Sequence, residues 1–217
     1  MITKRLRTRH IMHGPLRRRM LGGGIAAAVI ALTAGLCVPG SPAGAATLPA
    51  VGSASGIATH YVLQSGGGNC SYPGPPANHM FVALSAAEYH GAAPCGSYLQ
   101  VKGPHGSVRV EVIDQCPECK SGHIDLSEAA FAKLAPLRAG IIKVSYHTIS
   151  NPPLPGPVGF LVKNGSSRYW LALVVMNTGN AIASVQLKTS AGHWLKLTHA
   201  NWNAWIAQQG AGPGMTV

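Results

Sequence analysis

Helix and negative charge are what this chain lacks. Six of its 217 residues are Asp or Glu, against 17 Lys and Arg. A helical repeat of apolar residues is clear in one stretch alone, Ser127 to Leu137, which Pro136 helps to end. With 27 Gly and 16 Pro scattered among apolar residues, the composition argues for short strands between many turns, an all-β protein of one or two small domains.

The formal charge of +11 points to a polyanionic partner only until it is placed. Seven of the basic residues, from Lys4 to Arg19, precede an uncharged run from Met20 to Val38 and the small-residue site Ala43-Gly44-Ala45. That is the three-part pattern of an export signal over residues 1–45. The run approaches the roughly 20 residues that span a bilayer, but its glycines and the Ala-x-Ala site favour cleavage over anchoring. Arg17-Arg18-Arg19-Met20-Leu21 faintly matches a twin-arginine signal. The mature chain then begins near Ala46, is secreted to the extracellular space and keeps no membrane segment. It carries only +4, which removes most of the case for nucleic acid. No acid occurs after residue 153, where four basic residues do, so the second part is mildly cationic and suits anionic wall polymers.

Cysteine is sparse as well: five in all, and four once Cys37 leaves with the signal. An even count in an exported chain points to two disulfides, with three possible connectivities. Cys116 and Cys119 have the CxxC spacing of a redox motif, but no thioredoxin-like βαβ pattern surrounds them. Cys70 and Cys95 are too widely separated to be the second short pair of a four-cysteine zinc site. No metal and no other cofactor is expected.

Strand patterns run over Gly56 to Leu63, Met80 to Leu84, Tyr98 to Lys102, Val108 to Ile113 and Ile141 to Thr148, with a turn at Gly103-Pro104-His105-Gly106. Ser85 followed by Glu88 has the form of a capping box for a short helix. Asn151-Pro152-Pro153-Leu154-Pro155-Gly156-Pro157 cannot join a sheet ladder and is a stiff connector. The domain boundary falls there, at residues 151–157, after a first domain at 46–150. Further strands read at Gly159 to Lys163, Trp170 to Met176, Ile182 to Thr189 and His193 to Leu197, at a spacing that suits a β-sandwich.

The densest constellation is VEVIDQCPECKSGHIDLSEAAF. Together with Gly96-Ser97-Tyr98-Leu99, Gly103-Pro104, Val112-Ile113-Asp114, Ile124-Asp125-Leu126-Ser127, Ala130-Phe131 and Gly165-Ser166-Ser167-Arg168-Tyr169-Trp170, it resembles the bacterial expansins over almost the whole mature chain. The resemblance implies a six-stranded double-psi β-barrel followed by an immunoglobulin-like β-sandwich at 158–217. About 60 residues are fewer than the roughly 100 of such sandwiches, so the sandwich is expected to be truncated, with Met215-Thr216-Val217 beginning another strand. The resemblance also implies that Thr59, Asp114 and Asp125 line a polysaccharide groove, and that Tyr169, Trp170 and Trp202 form an aromatic sugar platform. Trp194 and Trp205 are assigned to packing. In plant relatives the cysteine of a Gly-Asn-Cys segment bridges to one just before Gly-Ser; the resemblance thus implies Cys70–Cys95, which leaves Cys116 with Cys119. Cys116 stands where the family has an aromatic residue.

Two bland readings stay open. Asp125 precedes a helix and could cap it, although Ser127 is better placed. Asp114 closes a strand and could satisfy turn amides. Adjacent Tyr169 and Trp170 would point to opposite faces of a regular strand, so a shared platform needs a bulge or a twisted entry.

Glycoside hydrolysis usually takes two carboxyl groups. In hydrolases that share the barrel the second acid sits in the first strand region, which here reads Gly56-Ile57-Ala58-Thr59-His60-Tyr61 without a carboxylate. The expected function is therefore non-hydrolytic loosening of the wall by a monomer that binds cellulose, xyloglucan or peptidoglycan. The alternative is an enzyme on the same barrel, a lytic transglycosylase or a glucanase. A barrel acting purely as a protein ligand, like the barwin- or kiwellin-like proteins, has no use for the second domain.

Overall fold

The computed structural model describes residues 53–212. The expected signal at 1–45 and the expected strand start at Met215–Val217 lie outside the described residues. Six strands close a barrel: β1 (Ala54–Tyr61), β2 (Phe81–Ser85), β3 (Tyr98–Gly103), β4 (Gly106–Cys116), β5 (His123–Ser127) and β6 (Ile142–Ile149). Their order around the barrel is β1-β5-β2-β4-β3-β6. The pairs β1/β5 and β2/β4 run parallel, and every other neighbour is antiparallel.

Period-two alternation makes this barrel. On β4, Val108, Val110 and Val112 point inward to meet Leu99 and Val101 of β3 and Val144 and Tyr146 of β6 in one core, while Arg109 stays outside. Strand β5 is the barrel strand that the sequence patterns miss, because five residues containing His, Asp and Ser show little apolar alternation. The helix expected over Ser127 to Leu137 is a single turn, α2 (Glu128–Phe131). Beyond it Lys133 and Leu134 donate to Ala130 and Phe131, three residues back, which tightens the chain ahead of Pro136. The other short helix, α1 (Ala86–Tyr89), forms as expected, yet the Ser85 hydroxyl bonds the Glu88 carboxylate at 2.8 Å and caps no backbone N–H.

Past the proline-rich segment come β7 (Gly159–Val162), β8 (Leu171–Met176), β9 (Gln186–Lys188), β10 (Trp194–Lys196), β11 (Thr198–His199) and β12 (Trp205–Ala207). They form a four-stranded sheet, β11-β12-β8-β7, and a β9/β10 ribbon. Strand β8 is buried on both faces. Leu171, Leu173 and Val175 pack with Trp205 and Leu197 in a second core, whereas Val174, with Leu161 and Met176, joins the core of the barrel. Two amide contacts tie the parts together: Asn203 Nδ2 donates to the Cys70 carbonyl at 3.0 Å, and Asn69 Nδ2 to the Asn201 carbonyl at 3.2 Å. The connector is held against the end of β8 by Asn177 Nδ2, which donates to the Pro157 carbonyl at 2.9 Å. Cys70 is bonded to Cys95 and Cys116 to Cys119.

Candidate functional site

Strand register assembles the barrel site. Thr59 of β1 is the partner of Asp125 on β5, Asp125 of Ala83 on β2, and Ala83 of Asp114 on β4. Cross-strand partners point to the same face, so these four residues form one row across the barrel. Two strand spacings, roughly 10 Å, separate the backbones of the two aspartates. Ala83 floors the row. It packs with Cys116, Cys119 and Tyr61 in a small buried cluster, so the disulfide forms part of the wall where the resemblance implied an aromatic ring.

The two aspartates are held differently. Thr59 Oγ1 donates to Asp125 Oδ1 at 2.6 Å and lies 2.9 Å from His123 Nε2. Since that hydroxyl gives its proton to the aspartate, His123 donates in turn to the threonine oxygen. Asp125 is half-buried, and burial pushes its carboxyl above the usual carboxylate range despite the opposing Thr59 bond. Helix α2 is capped by Ser127, whose Oγ accepts from Ala130 N at 3.1 Å; Asp125 makes no such bond.

Asp114, by contrast, is occupied by backbone. Its Oδ1 accepts from Asn69 N at 2.6 Å and from Gln115 N at 2.8 Å, and its Oδ2 accepts from the Tyr61 hydroxyl at 3.3 Å. Gly68 makes the loop's approach possible. Its φ is +69°, and a Cβ there would meet the Asp114 side chain at 2.7 Å.

Tyr61 and His123 escape a motif-based reading, but each lies two residues from a residue named by it, Thr59 and Asp125, so the alternation of a strand places them on the same face. Lys163 was also missed. It reaches from the second sheet into a cavity of about 670 Å³ that includes Tyr61, Asn69 and Asp114, and its Nζ lies 5.8 Å from the centroid of the Trp202 ring. Burial, followed by the neighbouring Asp114 charge, holds the Tyr61 hydroxyl above its ordinary range.

Of the three residues expected to form the platform, Trp202 stands beside this cavity through Lys163. Tyr169 and Trp170 sit in a turn closed by the Ser167 N–H donating to the Trp170 carbonyl, before β8 begins at Leu171. The opposite-face rule for a regular strand therefore does not apply to them. Gly210, at φ +68°, packs beneath; a Cβ there would collide with the Arg168 carbonyl. Tyr169 is 67% exposed with the Arg168 guanidinium over its ring at 4.6 Å. Trp170 and Trp202 are partly exposed and outside both cores. Trp205 is buried and stacked on His199 with centroids 4.2 Å apart. Trp194 corrects the packing assignment: it is 65% exposed, because β10 turns Leu195 toward the core and Trp194 outward beside Lys188.

The family model described as lytic transglycolase matches residues 55–146. The crystal structure of the expansin of Clavibacter michiganensis is 47% identical, covers 75% of this chain and 81% of its own, and superposes with a TM-score of 0.70. An aspartate-to-asparagine variant of that expansin, solved in complex with cellohexaose, is 46% identical at the same coverage and TM-score. Expansin-YoaJ of Bacillus subtilis is 31% identical over 156 residues, 70% of this chain. The chain spans 66% or less of the length of the first curated expansins it matches. The papain inhibitor of Streptomyces mobaraensis is 37% identical over 123 residues, 54% of this chain and 85% of the inhibitor. Relatives with different named functions thus share stretches of this sequence, and function has to be argued from the site. Closed barrel, following sheets and identity to the Clavibacter protein agree on the family: this chain belongs to the bacterial expansins.

Proposed function

We propose that this protein is exported, binds cellulose or a related wall glycan and loosens the polysaccharide network without hydrolysing it. The observation that carries the reading is the unequal use of the two aspartates. The Asp114 carboxylate is taken up by two backbone amides and Tyr61, which leaves Asp125 as the carboxyl of the row that can meet a ligand. Hydrolysis would need a second carboxyl free to activate water across the scissile bond, and β1 offers Thr59 in place of an acid. The cellohexaose complex of the Clavibacter variant supports a β-glucan as ligand.

In this mechanism a glucan chain lies along the groove past Thr59 and Asp125. Tyr61 and the Cys116–Cys119 bridge form the wall, and the chain continues over Lys163 toward Trp202. Tyr169, Trp170 and Trp202 offer flat faces to the apolar sides of successive sugars. Holding one chain along this path competes with its lateral hydrogen bonds to neighbours, and the network slips with no covalent bond broken. Xyloglucan and peptidoglycan present similar faces, and the protein acts as a monomer.

The second reading is a lytic transglycosylase, favoured by the family model that matches the barrel and by the upward shift of the Asp125 pKa, the direction a general acid needs. One experiment separates the two. Creep of a stretched wall strip without release of reducing ends or anhydro-sugars, abolished by Asp125→Asn while cellulose binding persists, is the expected outcome. Release of anhydro-sugar from peptidoglycan that Asp125→Asn removes would establish the enzyme instead.

A further inference from the structure

Outside the barrel, away from the row of Thr59 and Asp125, a cleft of about 500 Å³ opens between the loop Tyr72–Asn78, strands β3 and β4 and the connector at Pro153–Pro155. Its size falls within the range of small-ligand sites. Tyr98 and Glu111 are register partners on β3 and β4, and alternation with the inward Leu99 and Val110 turns them outward into this cleft. Glu111 is the one carboxylate in the lining and is 9% exposed.

Among the described residues its carboxylate has one hydrogen bond, from the Tyr98 hydroxyl, which donates to Oε2 at 3.1 Å. Arg109, on the same face of β4, lays its guanidinium over the Tyr98 ring, 5.1 Å from the centroid, and makes no ion pair with Glu111. Among the described residues the one ion pair within 4.0 Å is that of His60 with Glu128. A buried carboxyl group thus faces an open cleft with no ion pair of its own, the Arg109 guanidinium of the same lining being held over the Tyr98 ring. Burial pushes Glu111 above the usual carboxylate range and the Tyr98 hydroxyl up to about 12, the response expected of such a group.

We propose that this cleft is a second glycan site, separate from the groove, which takes an amino-sugar unit by pairing its protonated amine with Glu111. The walls favour a sugar over a basic peptide. Pro73, Pro75, Pro76, Pro153 and Pro155 have no N–H to donate to a peptide backbone, so an extended strand could not be added there. Rigid pyrrolidine and tyrosine surfaces instead match the apolar faces of a pyranose ring. A neutral N-acetylated sugar would leave Glu111 without its charge partner, so the site reads the free amine. The assignment is independent of the function proposed for the groove.

Calorimetric titration of the protein with a short glucosamine oligomer and with its fully N-acetylated counterpart, near neutral pH so that a carboxyl with a raised pKa is ionised, tests it. The expected result is at least tenfold tighter binding of the free-amine oligomer. Glu111→Gln, which still accepts the Tyr98 bond, removes that preference. So does Ala77→Trp, which blocks the cleft from its exposed lip and leaves the carboxylate in place; this variant decides the matter if Glu111→Gln fails to fold. Equal affinity for the two oligomers, no binding of either, or a preference that survives Ala77→Trp overturns the proposal. So does loss of the preference in Asp125→Asn, which would move the amine to the groove, or equal displacement of the oligomer by a short lysine peptide.

Discussion

The Thr59 hydroxyl donates to Asp125 Oδ1 at 2.6 Å across two parallel strands in register. The bond favours the ionised carboxylate and opposes the upward push of burial. Thr59→Val keeps the shape and removes the donor. The Asp125 pKa then rises further, read by NMR titration of its side-chain carbon, and stability above that pKa falls by roughly 1.5–3 kcal/mol, as for a lost bond to a charged group. Thr59→Ser restores both. A pKa unmoved in Thr59→Val would show that the hydroxyl does not set the state of the aspartate.

Asp125 also fixes a pH dependence. Because its folded-state pKa lies above the unfolded value, the folded protein holds a proton where the unfolded chain has released it. Stability therefore falls as pH climbs from about 4 through the folded-state pKa. Asp125→Asn, whose oxygen still accepts from Thr59, should melt with the parent at about pH 3 and above it at about pH 7. A variant that melts below the parent at neutral pH would contradict burial as the dominant influence.

The two disulfides should differ in worth. Cys70–Cys95 spans 25 residues and Cys116–Cys119 spans three. Loop-closure entropy then assigns roughly 3.5 kcal/mol to the first and roughly 1.6 kcal/mol to the second. Denaturant melts of Cys70→Ala/Cys95→Ala and Cys116→Ala/Cys119→Ala should reproduce that order. The second variant should also lose glucan binding in the groove, since Cys116 and Cys119 pack with Ala83 and Tyr61 at its floor. Binding that is unaffected would remove the bridge from the groove wall.

The tryptophans of the second sheet should separate into two groups. Trp170→Ala and Trp202→Ala weaken binding to insoluble cellulose by roughly 0.5–1.5 kcal/mol beyond lost area and leave the melting temperature within a few degrees of the parent. Trp205→Ala, emptying a core site beside His199, costs about 3–5 kcal/mol of stability. Pull-down isotherms run beside thermal melts distinguish them, and a Trp170→Ala protein that unfolds would place that ring in the core.

Much of this was readable in residue patterns. Val108, Val110 and Val112 declare β4 by alternation, and Gly-Ser-Tyr-Leu with Ile-Asp-Leu-Ser identified the barrel. Strand β5 was not readable, because its hydrogen-bonding partners lie in β1 and β2, far away in sequence, and its polar residues point into the groove. The cap assignment of Ser127 over Asp125 followed from position alone. That Asp114 could satisfy backbone amides followed from its place at a strand end, and Gln115 N does donate to it; that Asn69 N reaches it too, across 45 residues, did not. Trp194 was misassigned for a plain reason: residue size suggests burial, but on a two-stranded ribbon the register decides, and it turned Leu195 inward. Lys163 carried no local signal, because its importance depends on where the second sheet docks.

That docking has an evolutionary side. Strand β8 gives Leu171, Leu173 and Val175 to its own sheet and Val174 to the barrel, so the two folds are not beads on a proline string. Cutting the gene within 151–157 would bare an apolar stripe on the barrel where Leu161, Val174 and Met176 now pack. A shuffled descendant carrying a foreign sheet would need matching apolar residues at the positions of Leu161, Val174 and Met176. A barrel that stands without the sheet needs polar residues where this one meets Val174.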